Sequence, residues 1–193
     1  MALSSRGLGH LVLIQETWIR IPVGPQMVKW KMQPKTEPKL SQSAQRIKKA
    51  IRKLGFEFEI RELPESTRTA PEAAQAIGCE VGQIAKSIVF RSGSGQAILV
   101  IASGQNRINE AAISQILGEE IIKANADFVY RETGLAIGGV APVGHLKPLK
   151  TFIDQDLSKF RQIWTAAGTP HAVFPLTFAE LVKLTKGQVV KIS

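Results

Sequence analysis

Cysteine and histidine are scarce in this chain of 193 residues, which holds one cysteine, Cys79, and three histidines. A single cysteine excludes an intrachain disulfide, and no pair of these residues has zinc-site spacing such as C-x-x-C or H-x-x-x-H. The composition therefore predicts a cytoplasmic protein in a reducing compartment, with no structural metal and no cofactor.

Long hydrophobic runs are missing as well. The longest, near residues 97–102, falls far short of the roughly 18 to 20 residues of a membrane helix. The run at residues 11–14 is too short for a signal peptide, whose apolar core has about 7 to 15 residues. We therefore expect no membrane partner and no export. The formal net charge of +9 suggests a polyanionic partner and makes nucleic acid plausible.

The chain divides near residue 40. Residues 1–40 show no sustained helical or strand period and carry four prolines, so they are predicted to be an N-terminal appendage. Translation that really starts at Met27 or Met32 is an alternative explanation of this segment. Regular patterning begins at Ser41, and residues 41–193 are predicted to form the folded domain.

Helical and strand patterns alternate along that domain. Helices are predicted to end at Gly55, to run from Thr69 to Ile77 behind a capping box, and to cover residues 109–117, 126–133, 157–166 and 177–185. Strands are predicted at residues 56–60, 87–90, 97–102, 173–174 and 189–192. This mixed order favours an α+β sheet or barrel with helices around it.

The common catalytic motifs are absent: there is no G-x-S-x-G elbow, no phosphate-binding G-x-x-x-x-G-K-[ST] loop and no G-x-G-x-x-G. Two features remain. Lys86 stands at the entry to the apolar strand 84–90, and a glycine loop occupies residues 138–145. That loop lies within residues 134–148, a segment that has neither the helical nor the strand period. The segment is either functional or a tight connection with several turns.

Together, these features resemble the YbaK family of free-standing aminoacyl-tRNA deacylases and prolyl-tRNA synthetase editing domains. The resemblance spans residues 41–193 and rests on Lys86-Ser87-Ile88-Val89-Phe90, Gly138-Gly139-Val140-Ala141-Pro142-Val143-Gly144 and Ala167-Gly168. It implies a mixed β-sheet closing toward a barrel with surrounding helices. It also implies hydrolysis of an amino acid from the 3′ end of tRNA. The implied partner is the aminoacyl-tRNA acceptor end and not DNA, with an aminoacyl-tRNA synthetase as a further candidate.

The resemblance maps the family lysine onto Lys86, whose ammonium would hold the phosphate or ribose of the acceptor end for attack. The alternative is a lysine that merely extends to solvent from a buried strand. Gly138 and Gly139 are predicted to aim backbone N–H groups at the oxyanion that forms when water attacks the ester. Their alternative is an ordinary turn.

Further substrate contacts are predicted around these residues, at Ser103, Pro142, Val143, Gly144, His145, Asp154 and Gly168. No side chain is an obvious general base, so the resemblance suggests that the terminal ribose hydroxyl assists the attacking water. The family commonly has a serine two residues before the glycine that corresponds to Gly168, whereas this chain has Ala166, so the amino-acid specificity is open.

The function predicted from the sequence is trans-acting editing of a mischarged tRNA. The expected substrate is tRNA for proline that carries a small amino acid such as alanine or cysteine. The alternative is a non-catalytic module of the same fold that binds an aminoacyl-tRNA or nucleotide.

Overall fold

The computed structural model describes residues 40–193, which lie within one compact unit. The predicted appendage at residues 1–40 is outside the described part of the chain, except for Leu40. The α-helices of residues 40–193 are α1 (Gln42–Lys53), α2 (Ala70–Ile77), α3 (Glu110–Leu117), α4 (Ala126–Thr133) and α5 (Phe178–Thr185). None of these helices has the length and apolar character needed to cross a membrane.

The strands of the described chain form one mixed sheet. They are β1 (Arg61–Glu62), β2 (Ile84–Ser92), β3 (Ala97–Ser103), β4 (Ile121–Lys123), β5 (Lys150–Asp154), β6 (Ile163–Ala166), β7 (Ala172–Leu176) and β8 (Gln188–Val190). Their order is β1-β7-β6-β2-β3-β5-β8, with β4 also paired to β2. Strand pairs β2–β6, β3–β5 and β5–β8 are parallel and the others antiparallel. The predicted α+β class, a mixed sheet with surrounding helices, is confirmed.

Strand β2 has three neighbours, because two short strands share one of its edges. β3 runs antiparallel along the other edge. On the shared edge, β6 pairs with residues 84–85 and β4 pairs with residues 90–92. Between them, one bond from the Ala124 N–H to the Val89 carbonyl, 3.2 Å long, closes part of the opening. The sheet therefore has a gap beside residues 86–88.

The two faces of the central strands bury different helices. Leu99 and Ile101 of β3 belong to a core shared with α1, α4 and α5, whereas Ile98 and Val100 pack on the face that carries α3. All four side chains are fully buried. Because β3 is covered on both faces, its sequence is continuously apolar instead of alternating, as expected for an interior strand.

Local signals in the sequence fix several helix ends. The Thr69 hydroxyl accepts from the Glu72 N–H while the Glu72 carboxylate accepts from the Thr69 N–H, and Thr177 and Glu180 repeat this reciprocal pair. Such capping boxes satisfy donors that have no partner inside the helix. The starts of α2 and α5 predicted from these patterns are confirmed, as are the hairpin of β2 with β3 and the helices at residues 109–117 and 126–133.

Two predicted elements are wrong. Residues 56–60 alternate in burial as a strand would, but no strand within residues 40–193 pairs with them. Phe58 instead stacks on the Phe174 ring at a centroid distance of 5.3 Å. Residues 157–166 are not a helix: a 3₁₀ segment, Gln155–Lys159, precedes strand β6. The apolar spacing suited a helix, but pairing of β6 with β2 and β7 decides the conformation.

Candidate functional site

A cavity of about 310 Å³ opens at the gap in the sheet. Side chains from both faces of β2 line it, together with the start of α2, the loop after α4 and strand β6. Lys86 and Gly138 are the predicted site residues that line this cavity. Two threonines and an arginine before α2, Thr67, Arg68 and Thr69, line it as well and were not predicted, because their pattern indicated only a helix start.

Lys86 lies on the same face of β2 as Ile84, the face that packs against α2. Its ammonium donates to the Gly104 carbonyl at 3.1 Å and to the Asn106 carbonyl at 2.6 Å. An ammonium has three N–H donors, so two fixed bonds hold it in place and leave one donor for a ligand. Burial lowers the pKa of Lys86 below its usual range, and the nearby Asp154 carboxylate partly offsets this effect.

Asp154 and Ser103 belong to a buried network behind Lys86. The Asp154 carboxylate accepts from the Ser103 N–H at 3.0 Å, from the Asn106 side-chain amide at 2.8 Å and from the Asp156 N–H at 3.0 Å. The Ser103 hydroxyl donates to the Gly82 carbonyl. Both residues are fully buried and neither lines the cavity, so their predicted substrate contacts are not supported. The network instead fastens the loop whose carbonyls hold Lys86.

Ser87 turns its backbone polar groups toward the gap. In an antiparallel ladder, the N–H and C=O groups of alternate residues point toward and away from the partner strand. Val89 points away from β3, because its carbonyl accepts from Ala124, and Ser87 lies two residues earlier in an unbroken register. Since β6 pairs no further than Ala85, no strand of the described chain covers the Ser87 N–H. The sheet thus presents an available donor beside Lys86.

The glycine loop approaches the cavity through a tight turn. The Gly139 N–H donates to the Ala136 carbonyl at 3.0 Å, and Gly138 has φ +86°, as the third residue of a type II turn requires. The predicted oxyanion donor at Gly139 is therefore already engaged. Within residues 40–193, no acceptor is bonded to the Gly138 N–H, and Gly138 lines the cavity. Gly139 has another role: a β-carbon there would lie 2.6 Å from the Thr169 Cα.

Gly144 and Gly168 lie away from the cavity, where the chain crosses helix α1. A β-carbon at Gly144 would lie 2.8 Å from the Ile47 Cδ1, and one at Gly168 would lie 3.0 Å from the Ser43 carbonyl oxygen and from Ile47. We call these two glycines the α1 seam. Their predicted role in substrate binding is not supported. The absence of a side chain at each position lets helix α1 pack closely, and neither glycine lines the cavity.

The remaining predicted residues of the loop are also part of the packing. Pro142 and Val143 are buried outside the cavity. The His145 Nε2 lies 2.8 Å from the Ala141 carbonyl, so the ring is the donor of this bond. Burial lowers the pKa of His145, the Ala141 bond opposes that effect, and the Arg46 charge adds to it. A substrate contact by these three residues is not supported by their placement.

Two hydroxyl groups in the cavity have no hydrogen-bond partner among residues 40–193, namely those of Ser87 and Thr165. Both oxygen atoms are shielded, and Thr165 is only 1% exposed. The sequence contained Ser87 in the motif and Thr165 beside Ala166, but a pattern does not show whether a buried hydroxyl has a partner.

A second cleft, which we call the basic cleft, adjoins the cavity and shares Lys123 with it. Arg91 and Arg131 also line it, and their guanidinium carbons lie 5.9 and 5.1 Å from the centroid of the Phe128 ring. Asp127 is the acidic residue of the lining. With three cations and one anion, the basic cleft is suited to negatively charged groups.

Within residues 40–193, the cavity lacks the side chains that most often hold a metal ion or act as a general acid or base. No group of three or more histidine, cysteine, aspartate or glutamate side chains in this part of the chain is arranged to hold a metal ion. The cavity lining contains no carboxylate and no imidazole. The charged side chains of the lining are those of Arg68, Lys86 and Lys123.

Known proteins resemble this chain over most of the described part. The family model described as aminoacyl-tRNA editing domain matches residues 64–184. The uncharacterised protein YwhH of Bacillus subtilis strain 168 is 31% identical over 133 residues, which are 69% of this chain and 85% of YwhH.

A proline–tRNA ligase of Bacillus licheniformis is 31% identical over 105 residues. These cover 52% of this chain but only 18% of the ligase, so the likeness is to one part of that enzyme. A solved structure, named as a candidate trans-editing enzyme for prolyl-tRNA synthetase, is 46% identical with a TM-score of 0.77. The match covers 80% of this chain and 99% of that structure.

Proposed function

Because this chain belongs to the aminoacyl-tRNA editing domain family, we propose that it hydrolyses the ester bond of mischarged aminoacyl-tRNA as a separate, trans-acting enzyme. The observation that carries this proposal is the gap in the sheet. It brings Lys86, whose ammonium two carbonyls fix, together with the available N–H of Ser87 and the Gly138 turn at one cavity. These are a cation for the acceptor end and donors for a developing oxyanion.

Lys86 positions the acceptor end. Two carbonyls fix its ammonium, so its third N–H points in a set direction before the substrate arrives. A bond from this donor to a phosphate or ribose oxygen of the terminal adenosine would hold the ester at the gap. The charge is compact and needs no reorganisation during the reaction, which is the condition for efficient electrostatic positioning.

The N–H groups of Ser87 and Gly138 stabilise the oxyanion in this scheme. When water attacks the ester carbonyl, negative charge moves to the carbonyl oxygen and then to the leaving 3′ oxygen of the ribose. Backbone donors in a largely apolar cavity favour that charge more strongly than bulk water does. Ser87 takes the place that the sequence assigned to Gly139, whose N–H is bound within the turn.

The attacking water receives help from the substrate. The cavity lining offers no carboxylate or imidazole, and His145 is bonded to Ala141 outside it. The neighbouring ribose hydroxyl of the terminal adenosine is then the group best placed to orient the water. The proton lost by the water passes to the leaving 3′ oxygen, so hydrolysis yields a free amino acid and tRNA with an intact 3′ end.

The basic cleft extends this site toward the rest of the tRNA. Lys123 lines both the cavity and the basic cleft, so the phosphates next to the terminal adenosine can lie against Arg91 and Arg131. Phosphate contacts set the position of the nucleic acid but do not read its sequence. We therefore assign the discrimination among amino acids to the cavity.

The substrate we propose is tRNA for proline that carries a small amino acid such as alanine or cysteine. Support comes from the likeness to a candidate trans-editing enzyme for prolyl-tRNA synthetase and to part of a proline–tRNA ligase. An enzyme of this kind works beside the synthetase that makes the error. We accordingly propose that it acts in the cytoplasm. Its partner would be prolyl-tRNA synthetase, either as the enzyme that acts before it or in a physical complex.

The experiment is a panel of charged tRNAs incubated with the full chain. We expect release of free alanine or cysteine from tRNA for proline above the uncatalysed rate, and no release of proline from its own tRNA. Heat-denatured protein supplies the background. Binding of every member of the panel without any release would contradict the proposal and support a non-catalytic binding module.

A further inference from the structure

The unpartnered hydroxyls of Ser87 and Thr165 lie on one wall of the cavity. Thr165 is opposite Ala85 in the parallel pairing of β6 with β2, and Ser87 lies two residues further along β2. Side chains two residues apart in a strand share a face, so both hydroxyls are on the face of the sheet that carries Ala85 and Val89. With about 3.3 Å of rise per residue and about 4.8 Å between strands, their α-carbons are about 8 Å apart.

At that spacing, one small polar group placed between the two side chains can bond to both hydroxyls. A buried hydroxyl without a partner is unfavourable, and most buried polar groups in folded proteins have at least one hydrogen bond. Residues nearby do have partners: the Thr67 hydroxyl donates to the Pro170 carbonyl at 2.7 Å, and the Ser103 hydroxyl donates to Gly82. Among the buried hydroxyls of residues 40–193, the two without a partner are thus neighbours on one wall of the cavity.

We propose that Ser87 and Thr165 recognise the side chain of the amino acid to be removed, and that this side chain carries a hydroxyl or thiol on its β-carbon. This inference rests on the proposed function and sharpens it. A serine hydroxyl can donate to one of the two residues and accept from the other. A cysteine thiol makes the same contacts more weakly, since sulfur is a poor donor and acceptor. An alanine methyl leaves both hydroxyls without a partner.

The proposal predicts the order serine, then cysteine, then alanine for substrates on the same tRNA. Size does not explain this order, because 2-aminobutyrate has an ethyl side chain close in size to that of serine and cannot form the bonds. A site built to bind a polar atom rejects the analogue that lacks it more strongly than an apolar pocket rejects a missing methylene. The pair serine and 2-aminobutyrate therefore isolates hydrogen bonding from fit.

The experiment measures single-turnover hydrolysis of tRNA for proline charged with serine, cysteine, alanine or 2-aminobutyrate, after subtraction of the uncatalysed rate. For the wild-type protein we expect the seryl ester to react about 10- to 100-fold faster than the 2-aminobutyryl ester. Thr165→Val and Ser87→Ala should each reduce that ratio, and the double variant should bring it close to one. Thr165→Ser, which keeps the hydroxyl, should retain the preference.

Thr151→Val is the matched control, because Thr151 is a buried threonine of the same sheet that does not line the cavity. It should leave the ratio unchanged. Thr165→Val removes no hydrogen bond within the protein, so its melting temperature should be no lower than that of the wild type. Ser87→Ala is a second, independent variant, whose side chain can change while its backbone N–H remains.

The outcomes separate this inference from the proposed function. Hydrolysis of alanyl and 2-aminobutyryl esters as fast as the seryl ester would overturn the inference and leave the enzyme assignment standing. A wild-type ratio that survives in the folded double variant would also overturn it. If the wild-type protein hydrolyses none of the four esters, the proposed function itself fails, and the inference fails with it.

Discussion

The cavity wall beside Lys86 and the α1 seam contain residues of the same motifs but use them differently. At the cavity, Lys86 and Gly138 leave donors available to a ligand. At the α1 seam, no space is left for a ligand beside Gly144 and Gly168, because Ile47 and Ser43 fill the space where a side chain would be. A glycine in a family motif thus marks a close approach, and only the structure shows whether a ligand or a helix approaches.

The comparison also explains why a loop so rich in glycine and proline is well packed. Residues 134–148 were expected to be either a functional segment or a tight crossing, and they include features of both. Gly138 lines the cavity, while Val140 and Ala141 are buried in the core that α1 covers. The α1 seam fixes one end of the loop, and the turn at Gly138 then has a defined position at the other.

The largest effect should come from Lys86→Ala, which we expect to slow single-turnover hydrolysis by about 100-fold or more, because the ester is no longer held at the gap. The melting temperature should fall modestly, since the carbonyls of Gly104 and Asn106 lose a donor. Lys86→Arg is the control that keeps a charge. A folded Lys86→Ala protein with the wild-type rate would remove Lys86 from the site.

Gly168→Ala should have the next largest effect, and on stability instead of chemistry. Gly168 has φ +102°, and a β-carbon would lie 3.0 Å from the Ser43 carbonyl, so we expect a loss of about 3 kcal/mol in the free energy of unfolding. Urea unfolding measures this loss. Gly93→Ala is the control, because its β-carbon meets nothing closer than 3.7 Å. A stable Gly168→Ala protein with slow hydrolysis would assign the α1 seam to the active site.

Gly138→Ala should affect hydrolysis more than stability. A β-carbon at Gly138 would lie 3.6 Å from Pro170, an ordinary contact, so the cost is the strained φ of +86°, about 1 kcal/mol of stability. Relief of that strain rotates the Gly138 N–H, and we expect hydrolysis in the folded protein to slow by about tenfold. Single-turnover rates at saturating protein measure the change. An unchanged rate would reduce this turn to a structural role.

The smallest effect concerns His145. Because burial lowers its pKa in the folded state, the unfolded chain binds a proton more readily, and stability should fall as the pH drops below about 6.5, the ordinary histidine value. His145→Gln keeps a donor for Ala141 and should lack this dependence. Melting temperatures at pH 7.5 and 5.5 provide the test. An equal drop in both proteins would mean that other groups are responsible.

The sequence could predict those parts of the fold that depend on near neighbours. The capping residues Thr69 and Thr177 identify two helix starts, and the glycine turn identifies the hairpin of β2 with β3. The strand predicted at residues 56–60 was wrong because alternation of apolar and charged residues shows that a segment is half-buried, not that a partner strand exists. The helix predicted at residues 157–166 was wrong because pairing with strands distant in the sequence decides the conformation of part of this segment.

The candidate site divides in the same way. The family resemblance singled out Lys86 and gave it a role, whereas the pattern alone favoured a lysine that extends to solvent from a buried strand. The gap beside Ser87 could not be foreseen, because it arises where β6 and β4 share an edge of β2. Those pairings join Ile84 to Trp164, 80 positions away, and Phe90 to Lys123, 33 positions away. The partnerless hydroxyl of Thr165 depends on the same pairing.

The most direct test of this account is a crystal structure with a stable analogue of the substrate, adenosine joined to serine by an amide at the 3′ position. We predict that the seryl side chain lies between Ser87 and Thr165, with the adenosine against Lys86 and the amide carbonyl facing the N–H groups of Ser87 and Gly138. An analogue bound at the α1 seam, or anywhere outside this cavity, would contradict the account.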